Sequence, residues 1–225
     1  MTTTLHRKAS TRAERRRRER KRAGRARRSW IPLASVAAVI VIAALIAVMV
    51  TGGSGTIPGT HETAHVSIAG NALPAPKTPD PAVGMRAPVV MGTSFDGGNV
   101  ILPVAGTPTV VVFLAHWCPH CRNDAPQVQS WINSSGMTRG VQLLAVSTWV
   151  DRAKPNYPPS SWLHDVGWTS PVLVDDTRGS TAAAYGLQGT PMWVFIGADG
   201  NVKFRIQGEL TGPQLGAAAT RLLAG

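Results

Sequence analysis

Cysteine is scarce in this chain of 225 residues, which has only Cys118 and Cys121. Two cysteines cannot supply the disulfide network that stabilises small secreted domains. Acidic residues are also few, 12 against 23 basic ones, and a net charge of +11 would suit a nucleic-acid-binding protein. The first 30 residues, however, contain 13 of the basic and 2 of the acidic residues, so residues 31–225 have no net charge. We therefore predict no nucleic-acid partner.

Charged residues are absent from residues 31–50. A helix of about 20 residues spans about 30 Å, the hydrocarbon thickness of a bilayer. Basic residues favour the cytoplasmic side, so residues 1–30 are predicted to form a basic cytoplasmic tail and the chain after residue 50 to be extracytoplasmic. A cleaved signal peptide is the alternative, but its apolar region is usually about 7–15 residues long and ends at a small-residue cleavage site. We predict a single uncleaved transmembrane helix over 31–50.

Glycine, serine and proline are frequent in residues 51–83, which predicts a flexible linker. In residues 84–225, short apolar runs alternate with amphipathic stretches, as is typical of one α/β domain. The predicted strands are 110–114, 141–147, 171–174, 192–196 and 202–207, and the predicted helices are 158–166, 180–185 and 213–223. A further amphipathic stretch follows residue 118.

The chemistry of the chain centres on Cys118-Pro119-His120-Cys121, which follows the first of these strands. A C-x-x-C pair indicates either a metal site or a redox centre. Structural zinc needs four ligands, and no further cysteine or downstream histidine pair completes such a set. We therefore predict no metal and no cofactor. A static disulfide remains an alternative, although closing so short a loop adds little stability.

Cys118 is predicted to lie at the N-terminus of a helix. Free N–H groups and the positive end of the helix dipole favour a thiolate there, so Cys118 is the predicted nucleophile. Cys121 lies one turn further on, where it can resolve a mixed disulfide. A protonated His120 would add a positive charge that favours the Cys118 thiolate and makes the disulfide more oxidising.

These motifs resemble those of the thioredoxin superfamily over residues 84–225. The shared features include Trp117 before the first cysteine, Pro126 five residues after the second, and Gly189-Thr190-Pro191 before an apolar strand. The resemblance implies a three-layer sandwich, with a central mixed sheet and helices on both faces.

The chain is most similar to the TlpA-like branch, whose members are membrane-anchored and extracytoplasmic. Gly84-Met85-Arg86-Ala87-Pro88 and Asp124-Ala125-Pro126 match segments of that branch. The resemblance implies a single-pass protein of the bacterial cell membrane, with its catalytic domain outside the cytoplasm and a redox partner in the membrane.

The resemblance also implies roles for residues around the cysteines. Trp117 would shield the disulfide, and Thr190 and Pro191 would form a cis-proline loop that pairs with substrate as an added strand. His116 has no predicted role and is expected at the surface.

Two departures from the thioredoxin pattern bear on the redox chemistry. Val112 replaces a carboxylate that thioredoxins hold six residues before the first cysteine, and Asp124 is the nearest substitute for proton transfer. The pair Pro119-His120 resembles that of the strong oxidant DsbA. A peroxidase is not expected, because a P-x-x-x-T-x-x-C pattern would need proline and threonine at Val111 and Ala115.

We therefore expect a membrane-tethered thiol–disulfide oxidoreductase that acts on protein thiols and disulfides, as an oxidant or isomerase. A reductase of the cytochrome-maturation type is the first alternative. A non-enzymatic binding domain with a static disulfide is the second.

Overall fold

The computed structural model of the chain describes residues 60–224. The predicted cytoplasmic tail (1–30) and transmembrane helix (31–50) lie outside the described residues and stay predictions, as does the linker up to residue 59. Within residues 60–224, no helix has both the length and the apolar character needed to cross a bilayer.

Eight strands and four helices make up residues 60–224. The strands are β1 (Ser67–Ala69), β2 (Val89–Thr93), β3 (Asn99–Leu102), β4 (Thr109–Leu114), β5 (Gln142–Ser147), β6 (Val172–Val174), β7 (Met192–Ile196) and β8 (Val202–Gln207). The helices are α1 (Pro119–Ser135), α2 (Pro159–Val166), α3 (Ser180–Ala184) and α4 (Gly212–Ala224). The strands and helices predicted after residue 109 are confirmed, with only small differences at their ends.

The main sheet has five strands in the order β6-β5-β4-β7-β8. Its central strand β4 runs parallel to β5 and antiparallel to β7, so the sheet is mixed, as predicted. Every residue of β4 is buried, which accounts for its unbroken apolar sequence. Phe113 near the end of β4 pairs with Met192 at the start of β7. The residues after β4 and those before β7 therefore meet at the same end of the sheet.

Side chains of β4 alternate between two hydrophobic cores. Val110, Val112 and Leu114 pack in one cluster with residues of α1, α2 and α4. Val111 and Phe113 pack in the other with residues of α3 and of a small antiparallel sheet, β1-β2-β3. Helices lie on both faces, but the short α3 shares its face with a sheet that the sequence analysis did not predict.

The predicted flexible linker is wrong for residues 61–83, which pack against the domain. β1 pairs antiparallel with β2, and Val66, Leu73 and Ala82 are buried. Widely spaced apolar side chains help to fasten this segment, although four prolines interrupt it.

Arg205 of β8 holds this N-terminal segment in place. Its Nε lies 2.8 Å from Oδ2 of Asp80, and its guanidinium also donates to the carbonyl oxygens of Tyr185 (3.0 Å) and Pro74 (2.9 Å). The Arg205 side chain is only 1% exposed. Its hydrogen bonds hold the pKa of Asp80 below its usual value.

Arg205→Met is expected to lower the free energy of unfolding by about 1–3 kcal/mol, because it leaves the Asp80 carboxylate and the carbonyls of Tyr185 and Pro74 without their donor. Lys203→Met is the control, since Lys203 and Asp199 form an ion pair whose side chains are 30% and 48% exposed. The control should cost much less, because water and salt screen an ion pair at the surface. Urea denaturation of the full chain measures both, and equal losses would contradict this assignment.

Candidate active site

Cys118 lies between the end of β4 and the start of α1. Its N–H donates to the carbonyl of Ala115 (3.0 Å), and its extended backbone (φ −71°, ψ 122°) caps the helix. Pro119 occupies the first turn, where a missing N–H costs no hydrogen bond. The remaining N–H groups of that turn are available to the Cys118 sulfur.

The surroundings of Cys118 favour its thiolate. Burial alone would raise the pKa of the thiol, but hydrogen bonding to the side chain of Thr190, to Cys121 and to the backbone N–H of His120 outweighs it and holds the pKa below its usual value. The side chain keeps 6% of its surface exposed. Cys118 thus combines a stabilised thiolate with access for a substrate sulfur.

Cys121 has the opposite character, although it lies on the same helix. It has no exposed surface, and burial raises the pKa of its thiol far above the usual value; the negative charge on Cys118 adds to this. Both cysteines are free thiols in this structure. At neutral pH the first sulfur is therefore the better nucleophile and the second keeps its proton.

The imidazole of His120 contacts a carboxylate rather than the Cys118 sulfur beside which the sequence analysis placed it. Its side chain is 69% exposed, and its Nδ1 lies 2.6 Å from Oε1 of Glu209. The contribution of His120 to the Cys118 thiolate comes from its backbone N–H, because the carboxylate of Glu209 engages the imidazole. Sequence reasoning missed Glu209, which lies 89 positions further along the chain.

Asp124 lies one turn after Cys121, and both are on the buried side of α1. Its Oδ1 accepts a hydrogen bond from the Leu210 N–H (2.9 Å), while Oδ2 has no partner in the described part of the chain. Burial raises the pKa of Asp124 to about 7; the hydrogen bond from Leu210 opposes this and the charge of Glu209 adds to it. This carboxyl can therefore gain or lose a proton near neutral pH.

The Thr190–Pro191 peptide bond is cis, as predicted. Its loop meets the cysteines, since the carbonyl oxygen of Thr190 lies 3.1 Å from Sγ of Cys118. Gln207 at the end of β8, which sequence reasoning missed, donates from Nε2 to the carbonyls of Gly189 and Pro191, both at 3.0 Å. These two bonds orient the loop on either side of Thr190.

Trp117 is half-buried beside the cysteines, and its Nε1 donates to the carbonyl of Trp149 (2.7 Å).

The expectation that His116 lies at the surface is wrong, because its side chain is 1% exposed. Both ring nitrogens have hydrogen-bond partners, the carbonyl of Pro155 and the N–H of Asp151, which allows burial of the imidazole.

The predicted site residues thus converge on one end of the main sheet, with Cys118 between the helix N–H groups and the Thr190–Pro191 loop. Within residues 60–224, no group of three or more His, Cys, Asp or Glu side chains is arranged to hold a metal ion. The arrangement favours chemistry at two unequal sulfurs.

Comparison with known proteins agrees with this chemistry. The model of the AhpC/TSA family matches residues 83–205. A relative from Bacillus subtilis (strain 168), named sporulation thiol-disulfide oxidoreductase A, is 23% identical over 127 residues, which cover 56% of this chain and 75% of that protein.

Solved structures share the fold. The crystal structure of StoA from Bacillus subtilis is 23% identical with a TM-score of 0.50, over 61% of this chain and 98% of that one. A thioredoxin family thiol:disulfide interchange protein from Chlorobium tepidum TLS is 23% identical with a TM-score of 0.52, over 63% and 98% of the two chains.

Cys121→Ala is expected to accumulate mixed disulfides with substrates, because no resolving thiol remains, whereas Cys118→Ala should form none. Mass spectrometry after acid quenching measures both. In the reduced wild-type chain, iodoacetamide at neutral pH should modify Cys118 first. Earlier modification of Cys121 would reverse the assignment.

Asp124→Asn is expected to flatten the pH dependence of stability. The folded-state pKa of Asp124, about 7, is raised, so its contribution to stability is complete below the unfolded pKa of about 3.9 and is lost as pH rises through about 7. Asparagine keeps the Oδ1 acceptor for Leu210 and cannot ionise. The free energy of unfolding, measured by urea denaturation between about pH 5 and about pH 8, should therefore fall less in the variant than in the wild type.

Asp165→Asn is the matched control for that series, since the Asp165 side chain is 80% exposed. Its pH curve should run parallel to that of the wild type. A parallel curve for Asp124→Asn as well would show that Asp124 does not titrate in this range.

Proposed function

The chain belongs to the AhpC/TSA family and is a thiol–disulfide oxidoreductase, and we propose that its Cys118–Cys121 pair exchanges disulfides with protein thiols, as an oxidant or isomerase. The observation that carries this proposal is the inequality of the two sulfurs. Cys118 has a lowered pKa and 6% exposure, while Cys121 has a raised pKa and none.

Oxidation of a substrate begins with the disulfide form of the pair. A substrate thiolate attacks Sγ of Cys118, the Cys118–Cys121 bond breaks, and Cys121 leaves and takes up a proton. The second substrate thiolate then attacks the substrate sulfur of the mixed disulfide, and Cys118 leaves as a stabilised thiolate. The substrate loses two electrons and the cysteine pair gains them. Because a thiol of low pKa leaves faster, the environment of Cys118 favours the second step.

Asp124 is the proposed proton carrier for Cys121. The two residues lie one turn apart on the buried side of α1, and a carboxyl with a pKa of about 7 can hold or release a proton at neutral pH. Its burial keeps it neutral below that pH, so it then places no negative charge beside the Cys118 thiolate.

The oxidising direction is supported by the groups around Cys118. N–H donors at a helix N-terminus stabilise the thiolate and hence the reduced form, which raises the reduction potential. Val112 in β4 supplies no carboxylate to oppose this. Because Glu209 pairs with the exposed His120, the imidazole contributes less to raising the reduction potential. A reductase of the cytochrome-maturation type is therefore the second candidate.

A static disulfide in a binding domain would not need a cysteine with a lowered thiol pKa. Its sulfurs gain nothing from a lowered pKa, whereas exchange chemistry depends on it. Peroxidase chemistry at Cys118 is not expected, because Val111 and Ala115 stand where a peroxidase pattern has proline and threonine.

The proposed setting is the outer side of a bacterial cell membrane, in the manner of the TlpA-like branch. The uncharged segment 31–50 and the 13 basic residues before it support a single-pass anchor with a cytoplasmic N-terminus. A membrane redox partner would restore the oxidised or reduced form of the pair after each exchange.

Equilibration of the full chain with glutathione tests the direction. We expect a reduction potential above about −250 mV. This threshold lies between the potential of thioredoxin (about −270 mV) and those of the glutaredoxins (about −200 to −230 mV). His120→Thr should lower it by no more than about 30 mV, the equivalent of about 1.4 kcal/mol, because the backbone N–H groups remain. His164→Thr, which changes another exposed histidine paired with a carboxylate, is the control and should leave the potential unchanged. A wild-type potential below about −250 mV would favour the reductase.

A further inference from the structure

His116, which the reaction scheme does not use, links the redox turn, residues 115–118 between β4 and α1, to the loop that follows β5. We call residues 149–156 the clamp loop. The His116 ring lies with Nδ1 2.8 Å from the carbonyl oxygen of Pro155 and Nε2 3.2 Å from the backbone nitrogen of Asp151. The backbone carbonyl of His116 accepts a third bond from Nδ2 of Asn156 (2.8 Å). Three hydrogen bonds thus join one residue of the turn to both ends of the loop.

The partners of the ring determine its protonation state. A carbonyl oxygen can only accept, so Nδ1 carries the hydrogen that faces Pro155. The Asp151 N–H can only donate, so Nε2 must be unprotonated. The bonded ring is therefore neutral, and an imidazolium would set a second N–H against that of Asp151.

The clamp loop depends on support from outside itself. Trp149 and Asn156, its first and last residues, have positive φ values of 52° and 61°, which are unfavourable for residues with a Cβ. Trp149 also accepts the hydrogen bond from the indole of Trp117, next to Cys118. The loop is therefore joined to the turn at two places, the His116 ring and the Trp117 indole.

We infer that His116 is a positioning residue whose neutral ring holds the clamp loop against the redox turn, so that loop and turn together form a docking surface for polypeptide substrates. Protonation of the ring breaks the bond to Asp151 and loosens the loop. This inference rests on the proposed function for its substrate class, whereas the hydrogen bonds of the loop can be tested without it.

Tyr157, the clamp loop and Cys118 carry the other ionisable groups of this region. The Tyr157 ring meets His116 edge-on, with 6.0 Å between centroids, and the Arg152 guanidinium lies 5.9 Å from the Tyr157 centroid. The Asp151 carboxylate accepts from the N–H of Ala153 (2.9 Å). Cys118, two residues along the chain, supplies a negative charge as its thiolate.

Backbone hydrogen exchange on the full chain tests the clamp. Between about pH 7.5 and about pH 5.5, the range in which imidazoles usually gain a proton, the amides of residues 150–154 and 156 should lose roughly tenfold protection beyond the intrinsic pH effect. His116→Gln keeps an acceptor for Asp151 but cannot titrate, so its loop protection should be the same at both pH values. His116→Phe should lose that protection at both.

Amides of β4 serve as the folding control and should stay protected in every variant. Loop protection that does not change with pH in the wild type, or that changes equally in His116→Gln, would overturn the inference.

Exchange kinetics then separate the inference from the proposed function. Reduction of the Cys118–Cys121 disulfide by dithiothreitol should proceed at the same rate in the wild type and in His116→Phe, whereas oxidation of a reduced two-cysteine peptide should slow in the variant. Equal peptide rates would overturn the docking role. Failure of dithiothreitol to reduce the wild-type disulfide would instead count against the proposed function and leave the hydrogen-exchange result standing.

Discussion

The antiparallel register of β4 and β7 is the constraint on which the candidate site depends. It pairs Phe113 with Met192, so the chain that leaves β4 and the chain that enters β7 meet at one end of the sheet. Cys118 and the carbonyl of Thr190 are thereby brought to 3.1 Å. A slip of one residue would turn every β4 side chain to the opposite core, and Phe113 would lose its contact with Tyr185, whose ring centroid lies 5.3 Å away.

The unequal chemistry of the two cysteines follows from a single helical turn. Cys118 precedes the helix and receives its free N–H groups, whereas Cys121 points into the core and receives little that offsets its burial. The same burial raises the pKa of Asp124 on the next turn. One amphipathic helix therefore holds a stabilised thiolate, a protonated thiol and a carboxyl that titrates near neutral pH.

Two histidines flank Cys118, and neither imidazole has the sulfur as its hydrogen-bond partner. Glu209 engages the exposed His120, and the clamp loop engages the buried His116. The lowered pKa of Cys118 therefore depends on hydrogen bonding to the side chain of Thr190, to Cys121 and to backbone N–H groups, rather than on a neighbouring cation. Backbone donors are fixed by the helix, so they act on the sulfur with little dependence on side-chain conformation.

The strands and helices after residue 109, and the position of Cys118 at a helix start, could be predicted from the sequence, because apolar periodicity, turn residues and helix ends are local patterns. The contacts between these elements could not be predicted in this way. Residues 61–83 look like a linker by composition, yet Arg205 holds Asp80 from 125 positions away. Glu209 is likewise 89 positions from His120. Such contacts depend on which elements the sheet brings together, and no local pattern encodes that.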